Sequence, residues 1–330
     1  MTTNDFKSAL RVLTHQKFYT LINIMGFAMG IAVFFYIAIY LLDQYSYDRH
    51  NEHYQEVYRL EKGEWALMGT ANAPFLAGNF PEITAAARLS TIQHHGSLQH
   101  EEKLIASDHL VLADSTVFDI FTFDFLAGDP ASSLTRPRSV VLTQTLATTL
   151  FGADEAMGKV LRYNDTHNLV VTGIIADVHH SHIEITALLP FHLMGLNQSG
   201  EVVDELFQWG SWNYLTYVKL APSTDVAQLE QKINDATFEE FKAAYGTEID
   251  KDYFLRPLPE IYFSNDAKYI SPVLSGQKHT VRLFLAVAIF ILLIAVVNFV
   301  NLSTARSTLR AREVGIRRLL GSDRQSLVAR

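Results

Sequence analysis

Two long stretches of this chain carry no charged side chain, and almost everything else lies between them. Phe18 to Leu42 and Leu283 to Ala305 contain no Asp, Glu, Lys or Arg. A helix rises ~1.5 Å per residue and a bilayer core of ~30 Å takes about 20 residues, so both stretches are long enough to span it. The first exceeds the roughly 7–15-residue apolar run of a signal peptide. It leads directly into Leu41-Leu42-Asp43-Gln44 with no small-x-small cleavage pattern. It reads as an uncleaved anchor. The second is followed by a basic cluster, which marks a membrane span rather than a buried core helix. The expectation is a membrane protein in which transmembrane helices at 18–42 and 283–305 flank an extracytoplasmic domain at 43–282.

Charge sets the expected orientation. The chain carries a formal −8; residues 1–42 carry +2 and residues 303–330 carry +5, which leaves −15 on residues 43–302. Short basic flanks stay in the cytoplasm, whereas a long domain crosses regardless of its charge. Both termini are therefore expected in the cytoplasm of a cell with an inner membrane, with 43–282 periplasmic. So acidic a middle argues against nucleic acid as a partner. The chain has no cysteine, which excludes disulfides, thiolate metal sites and a cysteine nucleophile.

Residues 4–17 place Phe6, Ala9, Leu10 and Leu13 on one helical stripe, with Lys7 and Arg11 off it. This reads as a cytoplasmic amphipathic helix over 1–17 lying on membrane lipid, or as a plain basic flank. In the first span Gly26 and Gly30 form a small-xxx-small pair, which lets helix backbones approach closely. In the second, Asn298 and Asn301 are amides that either bond across helices or reach the headgroups.

The middle mixes strands and helices. Val57–Leu60, Ser139–Thr143, Leu169–Ile175 and Tyr214–Leu220 read as strands. Thr224–Tyr245 reads as a helix with Leu229, Ile233, Phe238 and Phe241 inward, after the start signal Pro222-Ser-Thr-Asp225. The domain is expected to be α+β.

Gly152-Ala-Asp-Glu-Ala-Met-Gly158-Lys159-Val160 imitates a phosphate-binding loop. It has one residue too many between the glycines, Val in place of Ser or Thr after Lys, and two acids that would repel phosphate. Nucleotide binding is rejected there. Histidines cluster at His94, His95 and His100, and again at His179, His180 and His182 beside Asp177. Alternate imidazoles on a strand can chelate zinc, but strand periodicity stops near Val178, so no metal ligand is assigned. No Gly-x-Ser-x-Gly elbow supports a serine hydrolase.

After the second span comes Arg312-Glu313-Val314-Gly315-Ile316-Arg317, followed by Arg318-Leu319-Leu320. Ile316, Leu319 and Leu320 form an apolar edge among arginines, suited to headgroups or a cytoplasmic partner. Together with Asn298-Phe-Val-Asn-Leu-Ser-Thr-Ala-Arg306, this segment resembles the MacB/FtsX-type permeases of ABC transporters. Phe6-Lys-Ser-Ala-Leu-Arg11, Phe18 to Gly26 and Ser46-Tyr-Asp-Arg49 are similar to that family's N-terminal pattern. Phe123-Asp-Phe-Leu-Ala-Gly-Asp-Pro130, Ser139–Thr143 and Phe151 to Lys159 are similar to its periplasmic core domain.

The resemblance implies an ectodomain with a porter-like part and an inserted second subdomain. It implies that Arg312 to Arg317 touch a separate ABC ATPase subunit, and that the permease pairs with a second copy or a related permease. A periplasmic or outer-membrane partner fits the same architecture. Its function would be to couple cytoplasmic ATP hydrolysis to mechanical work outside: export, extraction or regulation, without catalysis or a cofactor of its own. The Gly158-Lys159 loop falls within the family's ectodomain, and His182 sits where members carry a Ser-His pair. Family permeases continue past this element into further membrane helices, so 306–330 is expected to be a truncated coupling segment. The competing reading is a two-span membrane receptor with an extracytoplasmic sensor domain.

Overall fold

The computed structural model describes residues 17–90, 96–107, 109–152, 155–195, 207–210, 212–264, 267 and 273–319. The amphipathic segment over 1–16, His94, His95 and the chain after Leu319 lie outside the described residues. Two compact units result, one containing both long helices and the other spanning Ser46–Gln277.

In the helical unit, α1 runs Lys17–Ser46. Its apolar side chains are largely uncovered by protein, as with Tyr36 and Leu42, so a hydrocarbon solvent is what such a surface requires. Ile24–Ser46 and Lys278–Asn301 are both long and apolar enough to cross a membrane. The second helix (α8 below) does not stop where its apolar stretch does; it continues unbroken from Lys278 to Leu319. Its least exposed residues, Val281, Ala288 and Ala295, recur every seventh position. That spacing is a packing seam. A Cβ on Gly30 would meet Ile291 at 3.8 Å and Ala295 at 3.9 Å, and Tyr40 meets Phe284 edge-on at 5.3 Å. Gly26 faces no atom within 4 Å. Asn298 is half-buried and Asn301 exposed.

The ectodomain contains, in order, β1 (Val57–Lys62), β2 (Leu67–Met68), α2 (Asn72–Asn79), β3 (Ile83–Ser90), β4 (Gly96–His100), β5 (Lys103–Ser107) and β6 (Leu110–Ala113). Then come α3 (Val117–Ile120), β7 (Phe125–Gly128), α4 (Pro130–Ser133), β8 (Ser139–Thr143), α5 (Gln144–Phe151), β9 (Val160–Tyr163) and β10 (His167–Ile175). The last are β11 (Ala187–Pro190), β12 (Tyr214–Leu220), α6 (Val226–Tyr245), β13 (Tyr253–Pro257), α7 (Leu258–Ile261) and α8 (Lys278–Leu319). The strands form one mixed sheet in the order β13-β1-β12-β3-β6-β11-β8-β10-β9-β4-β5, with β2 beside β12 and β7 beside β10.

The α+β expectation is therefore met, and the insertion has a definite seat. Strands β12 and β3 pair antiparallel although the whole of β4–β11 lies between them in sequence. Leu60, Met68, Leu76, Val218, Leu229 and Ile233 form the core between α2, α6 and the β13-β1-β12-β3 part. Leu142, Leu146, Leu150, Leu169 and Leu189 form a second core beneath α5. Arg88 ties the two parts together. Its Nε and Nη2 donate to Asp114 at 2.8 and 2.7 Å, and its guanidinium lies 4.1 Å over the Phe191 ring. A bidentate, largely buried pair of this kind fixes orientation as well as distance.

Helix α6 shows how the local chemistry is written. Asp225 caps it by accepting from the Gln228 N–H at 3.1 Å, and Gly246 ends it at φ 69°. Leu229 and Ile233 face inward as expected, but Thr237 takes the next inward position. Phe238 and Phe241, expected inside, are only half-buried, because a spacing of four from Ile233 reaches Thr237 first.

Candidate functional site

Strand β1 carries charge where a buried strand normally carries none. Arg59 and Glu61, two apart and so on one face, have side chains 0% and 1% exposed. Register places Arg59 directly opposite Arg256 on β13 and Tyr217 on β12. Two arginines side by side across a pair of strands repel. Glu61 resolves this: its Oε1 accepts from Arg59 Nε at 2.9 Å, from Arg59 Nη2 at 2.5 Å and from Arg256 Nε at 2.8 Å. Arg59 Nη2 also donates to Ser264 Oγ at 3.2 Å.

The row continues from Tyr217 into a second group. The Tyr217 hydroxyl is 2.6 Å from His182 Nε2, and His182 Nδ1 is 2.7 Å from Asp48 Oδ1. Asp48 accepts only, so Nδ1 carries the proton, and with a neutral ring the tyrosine donates to Nε2. Asp48 Oδ1 also accepts from the His182 backbone N–H at 3.1 Å and from Ser181 Oγ at 3.4 Å. Asp48 holds φ 61°, a strained setting for a non-glycine residue, while its N–H donates to the His180 carbonyl at 2.7 Å.

The order Asp–His–hydroxyl imitates a catalytic relay. No substrate reaches it, since the His182 and Asp48 side chains are 0% and 1% exposed and Tyr217 is fully buried. What the group does is join chain segments. Asp48 lies two residues past the end of α1, and the His182 carbonyl accepts at 2.7 Å from the N–H of Leu274, four residues before α8. Nearby, Tyr47 stacks on Tyr262 at 3.7 Å, and Tyr262 accepts through its carbonyl from Gly276 N–H at 2.7 Å. Gly276 has to be glycine here: a Cβ would lie 2.4 Å from the Tyr262 ring. The first and last residues of the ectodomain thus close on one polar hub.

Burial pushes the Tyr217 hydroxyl far above the ordinary phenol range, with the Arg59 charge opposing the rise and Asp48 adding to it. Tyr253 is raised in the same way, again mainly by burial. The folded form therefore holds its phenol protons after an unfolded chain would release them. The stabilisation is fully present below the unfolded tyrosine pKa of ~10 and is lost as pH rises above it, by up to ~1.4 kcal/mol per unit for each group. Urea unfolding at stepped alkaline pH should show this slope, and Tyr217→Phe with Tyr253→Phe should flatten it.

The other sequence candidates fall elsewhere. The phosphate-loop imitation is followed by strand β9 rather than a helix. Gly152 N–H caps α5 by donating to the Thr148 carbonyl, and Gly158 N–H donates to the Val171 carbonyl at 2.8 Å. Lys159 N–H donates to the Ala156 carbonyl at 3.2 Å, so these three amides of the loop are engaged within the protein. His182 is buried in the hub and His180 sits at φ 52° in the loop before it. Among the described residues, no three His, Asp or Glu side chains are grouped to hold a metal ion. Arg312 to Arg317 lie on the backbone of α8, and Gly30, but not Gly26, lies against that helix. Ser46–Arg49 stand out in the sequence only by resemblance, whereas His182 stands out both by resemblance and as a member of the His179, His180, His182 cluster. Arg59 and Tyr217 lie within the strands read from sequence, whereas Glu61 lies one residue beyond the expected Val57–Leu60 and is brought into the strand by its extension to Lys62.

Among curated proteins, none matches the chain by sequence. Solved structures align with part of the chain. A permease-protein domain from Porphyromonas gingivalis aligns with a TM-score of 0.51 at 21% identity, covering 63% of this chain and 92% of that one. The periplasmic region of MacB from Actinobacillus actinomycetemcomitans aligns at 0.45 and 16%, covering 62% and 90%. The extracellular domain of the ABC-type transporter YknZ from Gram-positive bacteria aligns at 0.42 and 14%, covering 60% and 98%. The profile of the MacB-like periplasmic core domain matches residues 20–236, about two thirds of the chain. With two membrane-length helices flanking that domain, the chain belongs to the MacB-like periplasmic core domain family and is a MacB/FtsX-like permease of the ABC transporter class.

Proposed function

We propose that this permease converts the work of a separate cytoplasmic ABC ATPase into motion of its ectodomain, acting on a periplasmic substrate or partner. The observation that carries the reading is the hub. His182 is bonded on one side to Asp48, just past α1, and on the other to Leu274, just before α8. A displacement of either helix end is therefore delivered to the same buried group. Helix α8 supplies the lever: 42 residues without a break, carrying Arg312, Glu313, Val314, Gly315, Ile316 and Arg317 on the same rod as the apolar span. At ~1.5 Å per residue such a rod is about 60 Å long. In this reading both termini are cytoplasmic, Arg312 to Arg317 meet the ATPase, and a second permease pairs alongside, with Gly30 and Asn298 at helix contacts.

The test is purification of the full chain from its native membrane in mild detergent, with mass spectrometry of what remains bound. A stoichiometric ABC ATPase is expected, and Arg312→Glu with Arg317→Glu should release it. If no ATPase co-purifies, the engine is missing and the two-span receptor becomes the better account.

A further inference from the structure

The ectodomain has an open cleft of about 510 Å³ beside the hub. That lies within the ~300–1,000 Å³ typical of small-ligand sites. Its apolar wall is aromatic. Phe118 meets Phe123 edge-on at 5.6 Å and Phe125 at 5.1 Å, and Phe121 forms the floor. Its rim is acidic. Glu52 and Asp119 both line the cleft and are exposed, and neither has an ion-pair partner among the described residues. Two other lining groups bear positive charge or can acquire it. Lys219 lines the cleft with its Nζ 3.4 Å from the Asp119 carbonyl, and His53 is engaged at 3.5 Å with Glu56, so the site's own cations are held by other groups and not by the Glu52 or Asp119 carboxylates.

We propose that this cleft binds a short basic peptide segment in which lysine or arginine adjoins an apolar side chain. Aromatic faces attract a cation and shelter its apolar neighbour, while unpaired carboxylates supply charge that the aromatic wall does not screen. The −15 carried by residues 43–302 draws such a ligand from a distance and disfavours an acidic one. The cleft also has a mechanical neighbour. Phe121 packs edge-on against Tyr217 at 5.0 Å, so one ring is both cleft floor and hub wall. The turn after α1 is stapled to the same loop: Thr122 N–H donates to Asn51 Oδ1 at 2.8 Å and Glu52 N–H to Thr122 Oγ1 at 3.0 Å. A ligand pressing on this wall acts on the residues that receive the membrane helices.

The experiment is calorimetric titration of the full chain, in nanodiscs of zwitterionic lipid, with the tetrapeptide amides Lys-Phe-Lys-Phe and Glu-Phe-Glu-Phe. No ATPase is present, so the outcome is separate from the fate of the transporter reading. The basic peptide should bind at least about tenfold more tightly than the acidic one. Glu52→Gln with Asp119→Asn should remove about tenfold, as should raising salt from about 50 to about 500 mM. Both changes lie on exposed side chains, so the fold is expected to persist. Equal binding of the two peptides, full retention of binding by the double variant, or no heat from the basic peptide overturns the assignment.

Discussion

Glu61→Ala is expected to destabilise the ectodomain by ~3–5 kcal/mol, the range seen when one partner of a buried ion pair is removed. The cost comes from what is left behind. Arg59 and Arg256 stand opposite one another in register, and Glu61 Oε1 is the single oxygen that accepts from both. Without it, the Arg59 guanidinium, fully buried, faces a second positive charge across the strand pair. Arg256 lies on the edge strand β13 and has a way out toward water, whereas Arg59 has none. This yields a sharper comparison. Arg59→Met with Glu61→Leu removes both members of the core pair and should cost less than Glu61→Ala alone, because no unpaired charge stays buried. Chemical unfolding of the full chain in nanodiscs, followed by tryptophan fluorescence, reads this directly, since Trp65, Trp209 and Trp212 are the chain's only tryptophans and all lie in the ectodomain. If the single variant proves as stable as the parent, or the double variant less stable than the single, the pair is not buried as described.

His182→Ala is expected to cost as much, ~3–5 kcal/mol, by a different route. It leaves the Asp48 carboxylate buried without its ring partner, and the Tyr217 hydroxyl without its acceptor. Asp48→Asn is the discriminating companion. The amide keeps an acceptor at Oδ1 while losing the charge, so it should cost nearer the ~1–3 kcal/mol of an imperfectly satisfied buried polar group. The hub then predicts an order, His182→Ala worse than Asp48→Asn. Hydrogen exchange at Leu274 should report the same order, because its N–H is held by the His182 carbonyl. Unchanged protection at Leu274 in both variants would separate the two ends of the ectodomain and remove the joint from the argument.

What could be read from sequence is what depends on neighbours. Strands Tyr214–Leu220 and Ser139–Thr143 appear at their expected bounds because alternation or a short apolar run is a local property. The start and stop of α6 follow from Asp225 and Gly246 for the same reason. A charge-free stretch marks a membrane span and not the ends of the helix that carries it. The charge-free stretch ends at Leu42 and α1 runs on to Ser46, since a helix leaving lipid has no need to end where charge begins. Helix α8 passes through Ala305 to Leu319, because the arginines after the charge-free stretch are themselves good helix formers. The hub was illegible except by resemblance. Asp48 and His182 are 134 residues apart, and a hydrogen bond at that separation leaves no period in the sequence. Glu52 and Asp119, the cleft carboxylates, read individually as ordinary surface acids.

Because Asp48 and Leu274 both bond to His182, the ectodomain's two chain ends are neighbours across a single residue. A module whose ends meet in this way is portable. A short glycine-rich linker from residue 277 back to residue 46 could close it into a ring, and new termini could be opened at the exposed Glu101-Glu102 turn between β4 and β5. It could equally be lifted out as a cassette and set between a different pair of membrane helices. Diversification of such permeases by exchange of whole ectodomains would then require only that the recipient supply two chain ends side by side.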